Sequence, residues 1–421
     1  MKRLETNQIY KHGINVFIYF LYIYNISFVF LPSVLRTRVI FGFIGLFFFI
    51  SQDKLGLPKS LGRIFLLCII SISFIILTTV INNYFDSRFI GNTIQNILYL
   101  FGAYYLVIQA NINRLYALKL VILSIFLHNF LALLMFLNPS LLEIMTSIQS
   151  TGDKFEYALG NVVKFGTRFI GIGAGTFFSG GIISSIGVLL STYVITTEKK
   201  SKLLWKIIYV FISITGIYIA RVAFLGIFLS LIYFLINYIQ KKNYTSLPKI
   251  IVYSTFFGII VFSYILVNLD KLMTSNSFRH SFEIFINLFS SGDLKTDSTE
   301  GVKAMLIFPS NLKSLLIGDG QFYYDNGSFY MHTDIGYSRL VYYYGIFGIL
   351  VYFSIHFYIL FYNIKRFNND KGLKLLLWSL TFLLLIGNFK GLLDVNWIIF
   401  IFYWLALYKI KIENENLPYH K

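Results

Sequence analysis

LIGDGQFYYDNGSFYMHTDIGYSRLVYYYGIFGIL, residues 316–350, passes from a polar loop into an apolar run within one stretch of sequence. The first half is rich in Gly, Asp, Asn and Tyr, which suit turns. From Ile335 onward the stretch is mostly apolar, and Arg339 is its one charged residue. Because an apolar run of about eighteen or more residues predicts a transmembrane helix, this junction marks the point where a long loop enters the membrane.

The same alternation of apolar runs and short charged connections extends along the chain. Of the 421 residues, 57% are hydrophobic and 13% charged, which is outside the usual range of soluble globular proteins. We therefore predict an all-α polytopic membrane protein in which residues 1–421 form a single transmembrane domain. A lone Cys68 excludes a disulfide or a thiolate metal site within one chain. The twelve predicted spans are 13–31, 34–50, 64–81, 94–110, 118–137, 169–196, 205–220, 222–239, 250–268, 337–362, 374–389 and 395–409.

The distribution of charge predicts the orientation. With twelve spans and a cytoplasmic N-terminus, the cytoplasmic segments hold 22 of the 36 basic and six of the 19 acidic residues, or +16 of the net +17. This is the positive-inside asymmetry of a bacterial inner-membrane protein. It predicts two cytoplasmic termini and two long periplasmic loops, 138–168 and 270–336. Basic residues spread over short connections indicate membrane lipids as partners, and no nucleic acid.

The positive-inside rule also divides the long apolar stretch 205–239. Lysine clusters flank it on both sides, at 199–206 and 241–249, and both favour the cytoplasm. An even number of crossings must then separate them. We predict that the chain turns near Arg221, in TGIYIARVAFLGIFLSL, which brings this arginine to the periplasmic membrane surface.

The loop 270–336 contains a predicted amphipathic helix in SFRHSFEIFINLF, residues 277–289. Its phenylalanines recur at helical spacing on one face, and Arg279 can pair with Glu283 at i, i+4. We interpret it as a helix lying on the membrane surface. A second short helix is predicted at 300–308, ending before Pro309.

Three residues at the predicted periplasmic face form a candidate site. Arg168 enters the sixth span, Arg221 lies at the following hairpin tip, and His332 precedes the tenth span. Two guanidiniums suit a diphosphate, because each presents a planar fork of donors and keeps its charge. A histidine that titrates near neutrality can accept a proton from a sugar hydroxyl.

Each of these residues also has a plainer interpretation. An arginine at the end of a span commonly anchors to headgroups, and a histidine in a Tyr-rich loop is more often structural. Asp334 either orients His332 or caps the tenth helix. The string GIGAG at 171–175 indicates close helix packing, and His128 and His356 inside spans are assigned to packing or interhelical contacts.

Three local patterns resemble the bacterial O-antigen polymerase (Wzy-type) and O-antigen ligase superfamily. RFIGIGAGTF, from Arg168, resembles its Arg-x-x-Gly entry to a span. IARVAFLGIFLSL, around Arg221, resembles its Ser-Arg-x-x-x-x-Gly pattern, with Ala220 in place of Ser. LIGDGQFY followed by MHTDIGYSRLVYYYGIFGIL resembles its loop-closing Gly-x-Gly, His and Tyr/Phe-Gly-Ile-x-Gly sequence. The DIGY after His332 and Thr333 favours the polymerase branch.

The resemblance implies a GT-C-like fold and polymerisation of undecaprenyl-diphosphate-linked repeat units into O-antigen or capsular-type polysaccharide. The transfer would be inverting and metal-independent, with no cofactor. Arg168 and Arg221 would hold the donor diphosphate and His332 would activate the acceptor hydroxyl. A polysaccharide chain-length regulator is left open as a partner. The further expected substrate contacts are Arg279, Asp334, Tyr337 and Arg339.

Four alternatives remain open at this point. An O-antigen ligase would use the same residues to transfer finished polymer to lipid A core in lipopolysaccharide synthesis. A lipid-linked oligosaccharide flippase would carry charged residues inside its spans and no dominant loop. A metal-dependent glycosyltransferase would need acidic residues in its first outer loop, where this chain has Arg36 and Arg38. A secondary transporter is the general alternative for any twelve-span protein.

Overall fold

The structure, a computed structural model, describes most of the chain. The described ranges are 2–32, 34–52, 58–86, 88–150, 168–198, 201–240, 274–292, 297–324, 328–391 and 396–415. The regular secondary structure within them is α-helical, with short 3-10 turns, two isolated β-bridges and irregular connections between the helices. The helices are α1 (Lys2–Tyr24), α2 (Thr37–Gln52), α3 (Lys59–Asn82), α4 (Arg88–Gln109), α5 (Arg114–Leu137), α6 (Pro139–Ser147), α7 (Phe177–Thr197), α8 (Lys202–Ile219), α9 (Ala223–Gln240), α10 (Asn276–Ser291), α11 (Asp297–Met305), α12 (Leu312–Leu316), α13 (Gly336–Arg366), α14 (Lys371–Gly387) and α15 (Trp397–Glu415).

The all-helical, membrane-embedded class is confirmed. Among the described residues, seven helices are long and apolar enough to span a membrane, namely α3, α5, α7, α8, α9, α13 and α14. Shorter apolar helices lie within α2 and α15. Of the other predicted spans, two overlap α1 and α4, and 250–268 lies outside the described residues. Twelve spans and their orientation stay a prediction.

Helix α7 lies at the centre of the bundle. Its side chains are buried on all sides from Gly180 to Ile195, as expected of a helix that is apolar all round. Small residues allow this packing: a Cβ added to Gly226 of α9 would lie 2.5 Å from the Cα of Ser185. Close contact through Gly and Ser is typical of helix interfaces in membranes.

The two ends of α7 define two ends of the bundle. Its N-terminus adjoins Arg168 and the turn between α8 and α9, which we call the Arg168 end. Its C-terminal Tyr193 donates a hydrogen bond to Asp370, at 3.0 Å, which defines the Asp370 end. With 21 residues, α7 separates these ends by about 30 Å. The predicted turn near Arg221 is confirmed, because α8 ends at Ile219 and α9 begins at Ala223.

Helix α13 is broken where the loop closes on it. Gly345 has φ +64° and ψ −177°, so the helix is interrupted within the predicted tenth span 337–362. The carbonyls of Tyr342 and Tyr343 accept hydrogen bonds from the amides of Asp319 and Gly320, at 2.6 and 3.2 Å. The LIGDG loop therefore satisfies backbone groups that the break leaves without helical partners.

Candidate functional site

The segment before α7 fixes Arg168. The sixth span was predicted as helix from residue 169, but α7 begins at Phe177 and residues 169–176 form an irregular segment with one 3-10 turn. The amide of Phe169 donates to the carbonyl of Tyr218 (3.0 Å), and that of Ile172 donates to Nε2 of His128 (3.0 Å). These bonds hold the segment on α8 and α5, so Arg168 lies beside the α8–α9 turn.

His128 has the packing role that the sequence assigns to it. Its ring stacks on Tyr24, with 3.9 Å between centroids. It also fills the space beside Gly171 and Gly175, where an added Cβ would approach the imidazole to 2.5 and 2.0 Å. The GIGAG string is therefore a close-packing element: the glycines let the backbone pass directly over the histidine.

Helix α10 is present where the phenylalanine spacing predicts it, but the contacts of its aromatic face are with protein. Phe282 packs against Tyr218 and Phe224, and Phe285 packs against Phe224. Phe278 is buried, while Phe285 is 41% exposed. The position of this helix on the membrane surface stays a prediction, and the structure adds that the α8–α9 hairpin provides an aromatic surface for Phe282 and Phe285.

This docking brings two side chains of α10 onto the predicted arginines. The guanidinium of Arg168 donates from Nε to Nε2 of His280, at 2.8 Å. Arg221 forms an ion pair with Glu283, and only 13% and 21% of these two side chains are exposed. Residues 280 and 283 are one helical turn apart, so a single face of α10 reaches both arginines.

The hydrogen bond assigns the proton on His280. Because Nε2 accepts from Arg168, Nδ1 carries the hydrogen and the imidazole is neutral. Burial, followed by the nearby Arg168 and Arg221, lowers the pKa of His280 from 6.5 to about 4. Burial and then Arg221 also lower the pKa of Arg168 from its usual value. The two guanidiniums therefore lie close enough to repel each other.

The described side chains at this site carry more positive than negative charge. Two guanidiniums, one carboxylate and one neutral imidazole leave a net charge of about +1. Such a cluster suits phosphate oxygens, for which guanidinium forks are the usual partners. No group of three or more His, Cys, Asp or Glu that could hold a metal ion occurs in the part of the chain that the structure describes.

His332 lies in a second cluster, on the loop that closes against α13. It is exposed, and its ring centroid is 5.1 Å from that of Tyr324, which in turn is 5.2 Å from Tyr330. The Tyr330 hydroxyl donates to Asp319 at 3.3 Å. His332 and Met331 have φ of +51° and +56°, a conformation that is costly for two successive non-glycine residues.

The four further predicted substrate contacts, Arg279, Asp334, Tyr337 and Arg339, lie in different surroundings from one another. Arg279 is exposed on α10, next to His280. Arg339 is buried, with its guanidinium 4.0 Å from the ring centroid of Phe329, and donates to the carbonyl of Lys390 at 3.3 Å. The Tyr337 hydroxyl donates to the carbonyl of Leu385 at 2.7 Å. Both side chains therefore tie α13 to its neighbours.

Asp334 does not cap α13. The N-cap position is occupied by Ile335, without a side-chain hydrogen bond. The Thr333 hydroxyl instead accepts from the amide of Ile335 at 3.1 Å and donates to the carbonyl of Met305 at 2.6 Å. The capping interpretation of Asp334 is wrong. It requires α13 to begin at Ile335, whereas the helix begins at Gly336.

Arg168 and Arg221 thus come together as predicted from their positions, whereas His332 is placed by Tyr324 and by its amide bond to the Phe329 carbonyl. His280 and Glu283 were not predicted as partners of these two arginines. The available signal was their i, i+3 spacing on an amphipathic helix in the same loop. No protein-family model matches the chain, no curated protein sequence is found to be similar to it, and no solved structure matches it.

Proposed function

We propose that this protein is a membrane glycosyltransferase that polymerises undecaprenyl-diphosphate-linked repeat units into O-antigen or capsular-type polysaccharide. It would act at the periplasmic face of a bacterial inner membrane, with about twelve spans and both termini in the cytoplasm. The carrying observation is the pairing of Arg168 and Arg221, which come from separate segments and share the face of α10.

The arginine pair suits the leaving group of such a transfer. When the bond between the anomeric carbon and the diphosphate oxygen breaks, negative charge develops on the diphosphate. Two fixed guanidiniums stabilise that charge without further reorganisation, which is the largest electrostatic contribution expected here. A diphosphate leaving group can use two neighbouring guanidiniums, whereas anchoring to a lipid headgroup requires only one.

The His332 cluster suits the acceptor. Tyr324 and Tyr330 present half-exposed rings beside His332, and Asp319 adds a carboxylate that already accepts from the Tyr330 hydroxyl. Rings with polar tips suit a sugar, whose faces are apolar and whose edges carry hydroxyls. Arg279, exposed on α10, is a further candidate contact to phosphate or sugar.

In the proposed reaction, an acceptor hydroxyl attacks the anomeric carbon of the lipid-linked chain with inversion. The new C–O bond forms as the bond to the diphosphate breaks. His332 accepts the hydroxyl proton, and polyprenyl diphosphate leaves with its charge held by Arg168 and Arg221.

The test is complementation of cells that lack the gene, followed by analysis of polysaccharide chain length. Wild-type protein should restore long chains, and Arg221→Ala or Arg168→Ala should leave single repeat units while the protein remains in the membrane. Arg36→Ala, which alters an exposed arginine, is the matched control and should be normal. Long chains with Arg221→Ala would contradict the proposal. Loss of every attached repeat in the null strain would indicate the ligase reaction instead.

A further inference from the structure

Glu283 occupies the position that an anionic ligand would need. Its carboxylate contacts Arg221, whose side chain is only 13% exposed. The residue belongs to the loop helix, while both arginines belong to the ends of the helical bundle. The contact therefore joins the loop helix α10 to the turn between two helices of the bundle.

We propose that Glu283 is an internal stand-in for a diphosphate, and that α10 is a cap released when a diphosphate binds the arginine pair. This inference rests on the proposed function and adds a regulation to the same site. In the closed form Glu283 neutralises Arg221, and Nε2 of His280 accepts a hydrogen bond from the Nε–H of Arg168. In the open form the ligand takes the place of the carboxylate.

Charge favours this exchange. The four partly buried groups, Arg168, Arg221, His280 and Glu283, carry about +1 with Glu283 in place and +2 without it. Arg279 is exposed to solvent and is not counted, because its charge is screened. A sugar-linked diphosphate has two ionised phosphodiester groups and carries about −2, since each phosphodiester is singly charged. With Glu283 retained, the occupied site would hold about −1 in a partly buried place, whereas release of Glu283 gives a neutral site. Burying an unbalanced charge is costly, so the diphosphate and the carboxylate compete.

The remaining contacts of α10 are compatible with release. Around Phe282 and Phe285 they are edge contacts between rings, about 5 to 6 Å between centroids, and Phe285 and Leu288 are partly exposed. The buried side chains, Ser277, Phe278 and Ser281, lie in the first half of the helix. None of residues 284–288 is fully buried, so this part of the helix has less apolar surface to expose when the ion pair breaks.

The experiment uses the full-length protein in lipid nanodiscs with inorganic pyrophosphate and farnesyl diphosphate as probes. Binding is measured by calorimetry, and opening of α10 by amide hydrogen exchange of residues 276–291. For wild type we expect either probe to increase exchange. For Glu283→Gln we expect exchange to be high without ligand and pyrophosphate affinity to rise about tenfold, because the charged competitor is gone. Glu283→Asp, which keeps the charge, and Glu143→Gln, an exposed control, should resemble wild type.

The outcomes separate the cap from the proposed function. The proposal that α10 is a released cap is overturned if binding depends on Arg221 but is unchanged in Glu283→Gln. It is also overturned if the ligand lowers the hydrogen exchange of α10. In either case the arginine pair remains the diphosphate site. Binding unaffected by Arg221→Ala, or no binding to any form, overturns both. Tighter binding of farnesyl diphosphate than of pyrophosphate assigns a lipid carrier, and equal affinity assigns the diphosphate group alone. Opening by phosphatidylglycerol discs without either probe would assign an ordinary headgroup and overturn the proposal.

Discussion

The two ends of the bundle use arginine in different ways. At the Asp370 end two cations each have a carboxylate of their own: Arg114 lies 2.9 Å from Asp370, and Lys119 contacts Glu198. At the Arg168 end two guanidiniums lie near each other, with Glu283 and a neutral His280 as their partners on α10. These two ion pairs are balanced, whereas the cluster of Arg168, Arg221, His280 and Glu283 carries about one positive charge.

This difference teaches which arginines are structural. A matched ion pair at the end of a helix needs no ligand, and exposed pairs contribute little to stability. Two adjacent arginines repel each other and are retained at a cost unless an anion uses them. The comparison therefore points to the Arg168 end as the functional one, and four changes test it.

The largest expected effect comes from replacing arginine with lysine at each end. Arg221→Lys keeps the charge but loses the planar fork, so we expect polymerisation to fall about 100-fold. Arg114→Lys keeps a cation beside Asp370. Because a partly exposed ion pair contributes little, activity should stay within about twofold of wild type. Both are measured as the rate of chain extension in isolated membranes. Equal losses in the two variants would remove the distinction between the ends.

A smaller effect is expected at His280, which we regard as a positioning residue acting through Arg168. His280→Ala removes the acceptor for the Arg168 Nε–H, and we expect the rate to fall about tenfold, the loss typical of one charge-assisted hydrogen bond. His280→Gln offers a carbonyl oxygen instead and should restore most of the rate. If glutamine is as poor as alanine, while both proteins fold normally, the hydrogen bond is not the reason for the loss.

Some of this site could be predicted from sequence. Arg221 follows from the lysine clusters that require an even number of crossings, and Arg168 from its place before a span. His280 and Glu283 could not be placed, because helical spacing equally allows Arg279 to pair with Glu283. What decides between these partners is the direction in which α10 docks, and that is set by Phe282 against Tyr218 and Phe224. The i, i+3 spacing of His280 and Glu283 shows that they share a face of α10, but it does not show what that face contacts.

The break in α13 escaped prediction for a related reason. Glycine is common in transmembrane helices, so Gly345 alone does not indicate an interruption. The break depends on amides of Asp319 and Gly320, supplied by the LIGDG loop. The motif was visible in the sequence, but its use as a partner for α13 was not.

Thermal stability should change in opposite directions at the two ends. Arg168→Gln relieves the repulsion of Arg221 in a partly buried place, so we expect the free energy of unfolding to rise by about 0.5 kcal/mol. Arg114→Gln loses its ion pair with Asp370 and should lower it by a similar or smaller amount, about 0.5 kcal/mol or less. Melting of the purified proteins in detergent gives the sign directly. A fall in both would mean that the Arg168 end is balanced as well.

The smallest effect is a pH dependence carried by His280. Its pKa is about 4 in the folded protein and 6.5 as the ordinary value, so the unfolded chain binds more protons between these limits. The contribution of the neutral imidazole to the free energy of unfolding therefore has its full value above pH 6.5 and decreases as the pH falls towards 4. Because His280 is only partly buried, we expect the wild-type Tm to fall about 1–2 °C further than that of His280→Gln over this range. Glu283 is present in both proteins, so its titration is common to the two melting curves and the difference between them reports the imidazole beside Arg168. Identical curves would mean that His280 is protonated equally in both states, which is incompatible with its accepting a hydrogen bond from Arg168.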